Sequence, residues 1–132
     1  MISFTEAQAN IYALGAKIDA PIKNLKIYNF PQPDGTPYIQ ILDKYYYIIE
    51  ERGCEFERRV TENEDQLYYW IMSDVVFSMA SKFELDHRID SKDNRRILFS
   101  RELQLMANLS QVWYEVKKNE IEATLRNSPF IE

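Results

Sequence analysis

Apolar residues recur at helical spacing through Phe4, Ala7, Ile11, Leu14 and Ile18, behind Ser3 with Glu6 three residues on. That is a capping box, so a first helix is expected to run to about Asp19, where Pro21 closes it. A short extended piece around Lys26 to Phe30 leads into Pro31-Gln32-Pro33-Asp34-Gly35-Thr36-Pro37, whose fixed φ angles and glycine suit a turn. The pattern then switches to runs rich in Tyr, Ile, Phe and Val: Tyr38 to Leu42, Tyr45 to Glu51, and Cys54 to about Val60. Asp43-Lys44 and Arg52-Gly53 separate them, and two-residue connections make an antiparallel meander.

Helical spacing returns after Thr61, which with Glu64 forms a second capping box; Glu62, Glu64 and Asp65 favour the positive end of a helix dipole. This helix is expected to reach about Leu85. Leu67, Trp70, Ile71, Val75, Met79 and Phe83 form its stripe, widened by Tyr68, Met72 and Val76, which leaves a narrow polar seam of Ser73, Asp74, Ser81 and Lys82. Asp86 to Asn94 reads as a charged loop. Leu98, Phe99, Leu103, Leu105, Met106 and Leu109 mark a third helix, and Ser110 caps a fourth carrying Trp113, Val116, Ile121 and Leu125. The expected fold is α+β: an N-terminal helix, a three-stranded antiparallel meander, then three C-terminal helices packed on the sheet, all in one domain over residues 1–132.

Composition supports a folded core, with 45% apolar and 14% aromatic residues. No apolar stretch has the length of a membrane span, and the N-terminus lacks a signal-peptide layout, so a cytoplasmic setting is expected. The lone cysteine, Cys54, excludes an internal disulfide and reads as an inert core residue. A net charge of −5 disfavours binding to a phosphate backbone, so nucleic acid is a poor partner. Most of that excess is local: residues 50 to 65 hold seven acids against three bases.

Catalytic parts are scarce. One histidine, His87, in a charged context reads as a surface or helix-end residue, and with one cysteine it excludes Cys/His zinc sites. The three glycines stand too far apart for a phosphate-cradling loop, so no cofactor is implied. Asp74 aligns with the polar seam rather than with a buried acid site. The cluster Glu50, Glu51, Glu55 and Glu57 leaves two readings, a solvated hairpin rim or a carboxylate pair for hard-metal chemistry.

If Arg52-Gly53 is a two-residue turn, Glu51 faces Cys54, Glu50 faces Glu55, Ile48 faces Glu57 and Tyr46 faces Arg59. Tyr45, Tyr47, Ile49, Cys54, Phe56 and Val60 then form the core side. Tyr46, Ile48, Glu50, Glu55, Glu57 and Arg59 form the opposite side, and the same logic places Ile39 and Ile41 there. Glu50 against Glu55 is a like-charge pair, unfavourable unless something basic compensates it. A basic protein partner would do so, with Tyr46 as an aromatic anchor. The candidate partner surface is Tyr46, Glu50, Glu51, Arg52, Glu55 and Glu57.

The block from Tyr45 through Glu50-Glu51-Arg52-Gly53 to Arg58-Arg59, continuing through Leu67-Tyr68-Tyr69-Trp70-Ile71 and Phe77-Ser78-Met79-Ala80, resembles the bacterial family Immunity protein 63. The likeness extends to about Leu125 and includes Arg95-Arg96-Ile97-Leu98-Phe99; the first 37 residues carry none. The resemblance implies a non-enzymatic protein that protects its cell by binding and occluding a polymorphic or contact-dependent toxin. An acidic inhibitor suits a basic toxin such as a nuclease. Two other classes stay open: an adaptor domain for a different protein, and a small carboxylate-dependent enzyme.

Overall fold

The computed structural model describes residues 1–131, in the order α1 (Phe4–Ala16), a single 3-10 turn (Ile22–Asn24), β1 (Tyr38–Ile41), β2 (Tyr45–Glu51), β3 (Cys54–Thr61), α2 (Glu64–Asp86), α3 (Arg95–Leu109) and α4 (Gln111–Asn127). The chain is α+β, with the helix, the three-stranded antiparallel sheet and the three helices that the pattern predicts. It divides into two compact units, residues 1–16 with 21–72 and residues 17–20 with 73–132, the boundary falling inside α2.

In the first unit the capping box at Ser3 forms: the Glu6 backbone N–H donates to Ser3 Oγ at 3.1 Å, and the Ser3 N–H donates to Glu6 Oε1 at 3.2 Å. Helix α1 stops at Ala16, short of Asp19. Gln8 on α1 binds the following segment from both ends of its amide, donating to the Leu25 carbonyl at 2.8 Å and accepting from the Ile27 N–H at 2.9 Å. Gly15 lets Leu25 lie against the helix, because a Cβ there would overlap the Leu25 side chain. No strand forms over Lys26 to Phe30, yet Tyr28 guards the sheet's first edge: its carbonyl accepts from the Ile39 N–H at 2.9 Å.

The sheet order is β1-β2-β3. Ile41 pairs with Tyr45, so three residues rather than two make the first connection, and the Leu42 N–H donates to the Lys44 carbonyl. That extra residue changes the parity of β1. Ile39 and Ile41 therefore share a face with Tyr47 and Tyr45, not with Tyr46 as the two-residue reading expects.

The second connection is the two-residue turn, with Arg52 at φ 54° and Gly53 at φ 76°, the left-handed pair of a type I′ hairpin. Glu51 faces Cys54 and Glu50 faces Glu55, as the sequence implies. Beyond them a β-bulge at Ile49/Glu50 leaves Phe56 as the extra residue of β3. The expected pairs of Ile48 with Glu57 and Tyr46 with Arg59 are replaced by Ile49 with Glu57, Ile48 with Arg58, Tyr47 with Arg59 and Tyr46 with Val60.

Burial follows the strand more than the face. Tyr38, Ile39, Tyr45, Tyr47 and Ile48 are all buried, so both sides of β1 and β2 lie in the core. Strand β3 is exposed at nearly every position. The core-side assignment of Cys54, Phe56 and Val60 is thereby overturned: Cys54 is exposed, Phe56 is 67% exposed and Val60 45%. The reason is what lies alongside each outer strand: β1 has the segment at Tyr28 bonded to it, whereas β3 stays open to solvent.

Helix α2 begins two residues later than its expected cap. Thr61 ends β3, and Asn63 caps instead, its Oδ1 accepting from the Gln66 N–H at 3.2 Å while Thr61 Oγ1 accepts from the Asn63 N–H. Leu67, Tyr68, Tyr69, Ile71 and Met72 are buried, and Trp70 meets Tyr47 of the sheet at 6.1 Å between ring centroids. The buried Tyr68 hydroxyl accepts from the Asn10 amide at 2.7 Å, and burial pushes its pKa up to about 12.

The second unit holds the rest of α2 with α3 and α4, buried around Val75, Val76, Ala80, Leu105, Met106, Leu109, Trp113 and Ile121. Ser110 caps α4 through the Trp113 N–H, as the sequence implies. The polar seam of α2 is real at Asp74, which is exposed, whereas half-buried Ser73 accepts a hydrogen bond from Lys117 Nζ at 2.7 Å. Asn94 ties the charged loop by accepting from the Ile89 N–H and donating to the Ile89 and Lys92 carbonyls.

Candidate functional site

The six candidate residues lie on the β2–β3 hairpin, gathered by one turn and one strand pair. Tyr46 is half-buried, and its hydroxyl donates to Asp43 Oδ1 at 2.8 Å. That bond holds the Tyr46 hydroxyl above its ordinary range and Asp43 below the ordinary carboxylate range. The Arg58 guanidinium stands over the Tyr46 ring at 5.7 Å.

Glu50 and Glu55 do oppose each other across the strands, but the chain supplies its own compensation. Glu55 accepts from Arg58 through Nε and Nη2, the latter at 2.7 Å, and this bond draws its carboxyl below the ordinary range. Glu50 accepts from the Tyr38 hydroxyl at 3.3 Å; burial, then the Glu50 charge, raise that hydroxyl. Three-residue spacing would ordinarily set Glu55 and Arg58 on opposite faces. The bulge between them brings both to the Tyr46 side, opposite Glu50 and Ile48.

On the other face Glu57 pairs with Arg59 at 2.9 Å, and Arg59 stacks over Tyr47 at 4.9 Å and over Trp70 at 5.7 Å. Arg59 is thus the residue that joins the exposed strand to the buried aromatics. Glu51 is half-buried beside Gly35, and Arg52 sits exposed at the turn. Arg58, Arg59, Tyr38 and Asp43 are the partners that sequence reasoning missed. The period-two spacing of Glu57 and Arg59 was a readable signal; the Glu55 and Arg58 pair depends on the bulge and was not.

These contacts narrow the chemistry. Ion pairs this exposed add little stability, so they orient the side chains and leave them able to exchange partners. Among the described residues no group of three or more His, Cys, Asp or Glu side chains is placed to hold a metal ion. His87 is exposed at the end of α2, its ring stacked on Phe83 at 4.0 Å and its Nδ1 2.8 Å from the Phe83 carbonyl.

A second polar assembly lies in the helical unit, at residues that the sequence pattern marks only as a charged loop and a helix start. Asp93 receives Arg95 Nη2 at 2.7 Å and the Ile131 N–H at 2.9 Å, while Arg95 also donates to the Ser128 and Pro129 carbonyls. The Phe130 ring lies under Arg96 at 4.1 Å. The segment after α4 is therefore clamped to the start of α3, and the Arg95 contact holds Asp93 far below the usual carboxylate range.

No helix among the described residues is long and apolar enough to cross a membrane. Neither a curated protein nor a solved structure matches the chain. The model of the family described as Immunity protein 63 matches residues 42–123, a span that takes in the whole hairpin and most of the three later helices. The chain belongs to the Immunity protein 63 family.

Proposed function

We propose that the chain is a cytoplasmic immunity protein that neutralises a cognate bacterial toxin by occluding it, with no catalytic step of its own. Family membership supports an immunity function in general. The observation that carries the choice of surface is the exposure of β3 and its turn within that matched span. Tyr46, Glu50, Glu51, Arg52, Glu55 and Glu57 are the contact set.

The internal pairs refine how such a surface works. Glu55 and Glu57 are already held by Arg58 and Arg59, so on binding they exchange one cation for another, at little net gain. Glu51 and Glu50 have the more available carboxylates: among the described residues Glu51 makes no ion pair, and Glu50 accepts a long bond from the Tyr38 hydroxyl. A toxin with a basic, phosphate-contacting surface suits them, because carboxylates speed encounter with such a surface and cover the cations it uses.

Co-expression with the toxin encoded beside this chain tests the proposal. Growth is expected to be rescued, with a complex recovered from the lysate. Glu51→Lys and Arg52→Glu should each weaken the purified complex by roughly tenfold or more. Rescue without any complex would overturn occlusion; a complex indifferent to both charge reversals would move the contact surface off the hairpin.

A further inference from the structure

The sheet has one guarded edge and one open edge. On the β1 side the Ile39 N–H is bonded to the Tyr28 carbonyl. On the β3 side no backbone hydrogen bond joins the strand to any segment beyond β2 among the described residues. An open eight-residue strand presents a row of unpaired N–H and C=O groups, which proteins ordinarily protect with charge. Charge protects only if like charges meet when a second strand arrives.

In β3 they do not. Read forwards the strand runs Glu55-Phe56-Glu57-Arg58-Arg59-Val60-Thr61, and its reversed copy is nearly its electrostatic complement. Two copies placed antiparallel, with Arg58 on the two-fold axis, set Glu57 opposite Arg59 of the other copy, twice, so that the pair each strand already holds internally can exchange into one across the seam, which sets register more than affinity. The same register brings Phe56, the bulge residue, towards Val60, again twice, and these are the exposed large apolar residues of the strand. The one like pair is Arg58 with itself, and each of those guanidiniums is already held by its own Glu55. Moving the axis to Glu57 opposes Glu57 to itself and sets Phe56 against Arg58, which discards the apolar match.

We infer that β3 is a self-association edge, joining a second copy of this chain into a continuous six-stranded antiparallel sheet with Arg58 at the symmetry axis. A single strand pair buries less than the roughly 1,200 Å² of a standard stable interface. The dimer is therefore reversible, forms at high concentration and weakens with salt, since its register is set by ion pairs.

Cross-linking reads the register directly and needs no toxin, so its outcome is separate from that of the proposed function. In a Cys54→Ser background, Arg58→Cys places one thiol opposite its own copy, where antiparallel Cα atoms stand about 4.5–5.5 Å apart, within disulfide reach. Glu57→Cys and Arg59→Cys stand roughly 8 Å from their own copies, beyond that reach. The Arg58→Cys chain is expected to form a disulfide dimer at least about fivefold faster than either neighbour, given those separations. Sedimentation of the native chain should show a monomer–dimer equilibrium that shifts to monomer in high salt and in Val60→Lys. A native chain that stays monomeric up to about 1 mM, the weakest affinity worth calling an association, overturns the edge. Equal cross-linking at all three positions overturns the register.

Discussion

Two groups of glutamates in this molecule meet opposite fates. On the hairpin, Glu55 and Glu57 stand in solvent and lean on arginines of their own strand, and Glu55 is drawn below the ordinary carboxylate range by Arg58. In the helical unit Glu102 is 5% exposed, and burial raises its carboxyl above that range, with Lys117 pulling it back and Glu120 pushing it further up. Lys117 is itself mostly buried, 3.2 Å from Glu120 and 2.7 Å from the Ser73 hydroxyl. Charge density in the sequence points to the hairpin, whereas the energetic weight of a charge depends on water. The acids crowded together on β3 belong to the proposed contact surface; the buried one bears on stability.

Removing Lys117 should have the largest effect. Lys117→Met leaves the Glu102 carboxylate buried near Glu120 without its cation, and a cost of about 2–4 kcal/mol is expected in urea unfolding. Glu102→Gln should act in the other direction, adding about 1 kcal/mol near neutral pH by removing a buried charge. The sign follows from the raised folded value. The contribution of Glu102 is complete below the unfolded value of about 4.3 and is lost as pH rises through the folded one. The advantage of the Gln variant should therefore grow from pH 4 to pH 7, and a constant difference would contradict the burial argument.

Asp93→Asn should leave global unfolding nearly unchanged while speeding hydrogen exchange at the Ile131 amide, because that carboxylate serves the terminal clamp and the first turn of α3 at Arg95 rather than the core. Glu55→Gln should have the smallest effect, with no resolvable shift in Tm. The lowered value of Glu55 means its contribution is present above the unfolded pKa and lost as pH falls through the folded one, but full exposure screens it. A large loss of stability in Glu55→Gln would erase the contrast between the two regions.

Much of the fold was legible because it is written in short-range order. Ser3 with Glu6 and Ser110 with Trp113 act within three residues, so their helix starts could be read directly. Tyr45 to Glu51 is a strand because a run of Tyr and Ile fits a pleated surface, whatever lies across from it. The hairpin turn was legible too, although Arg52 takes a left-handed φ where Asn or Asp is preferred. The gap between Thr61 and Asn63 as caps shows the limit: both residue types serve, and the choice was made by how far β3 stayed paired with Tyr45.

What the sequence by itself determined is the series of elements and the place of the hairpin turn, since propensity, capping and turn chemistry are local free energies. Tertiary structure decided which residues share a face. One extra residue in the first connection placed Ile39 and Ile41 with Tyr47, and one bulge placed Arg58 with Glu55 and Arg59 with Tyr47. Strand pairing has a period of two, so a single inserted residue inverts every side chain beyond it, and no local preference records where the insertion falls. Burial of Glu102 and exposure of Phe56 are of the same kind: each is set by what packs from far along the chain, and neither by its neighbours in sequence.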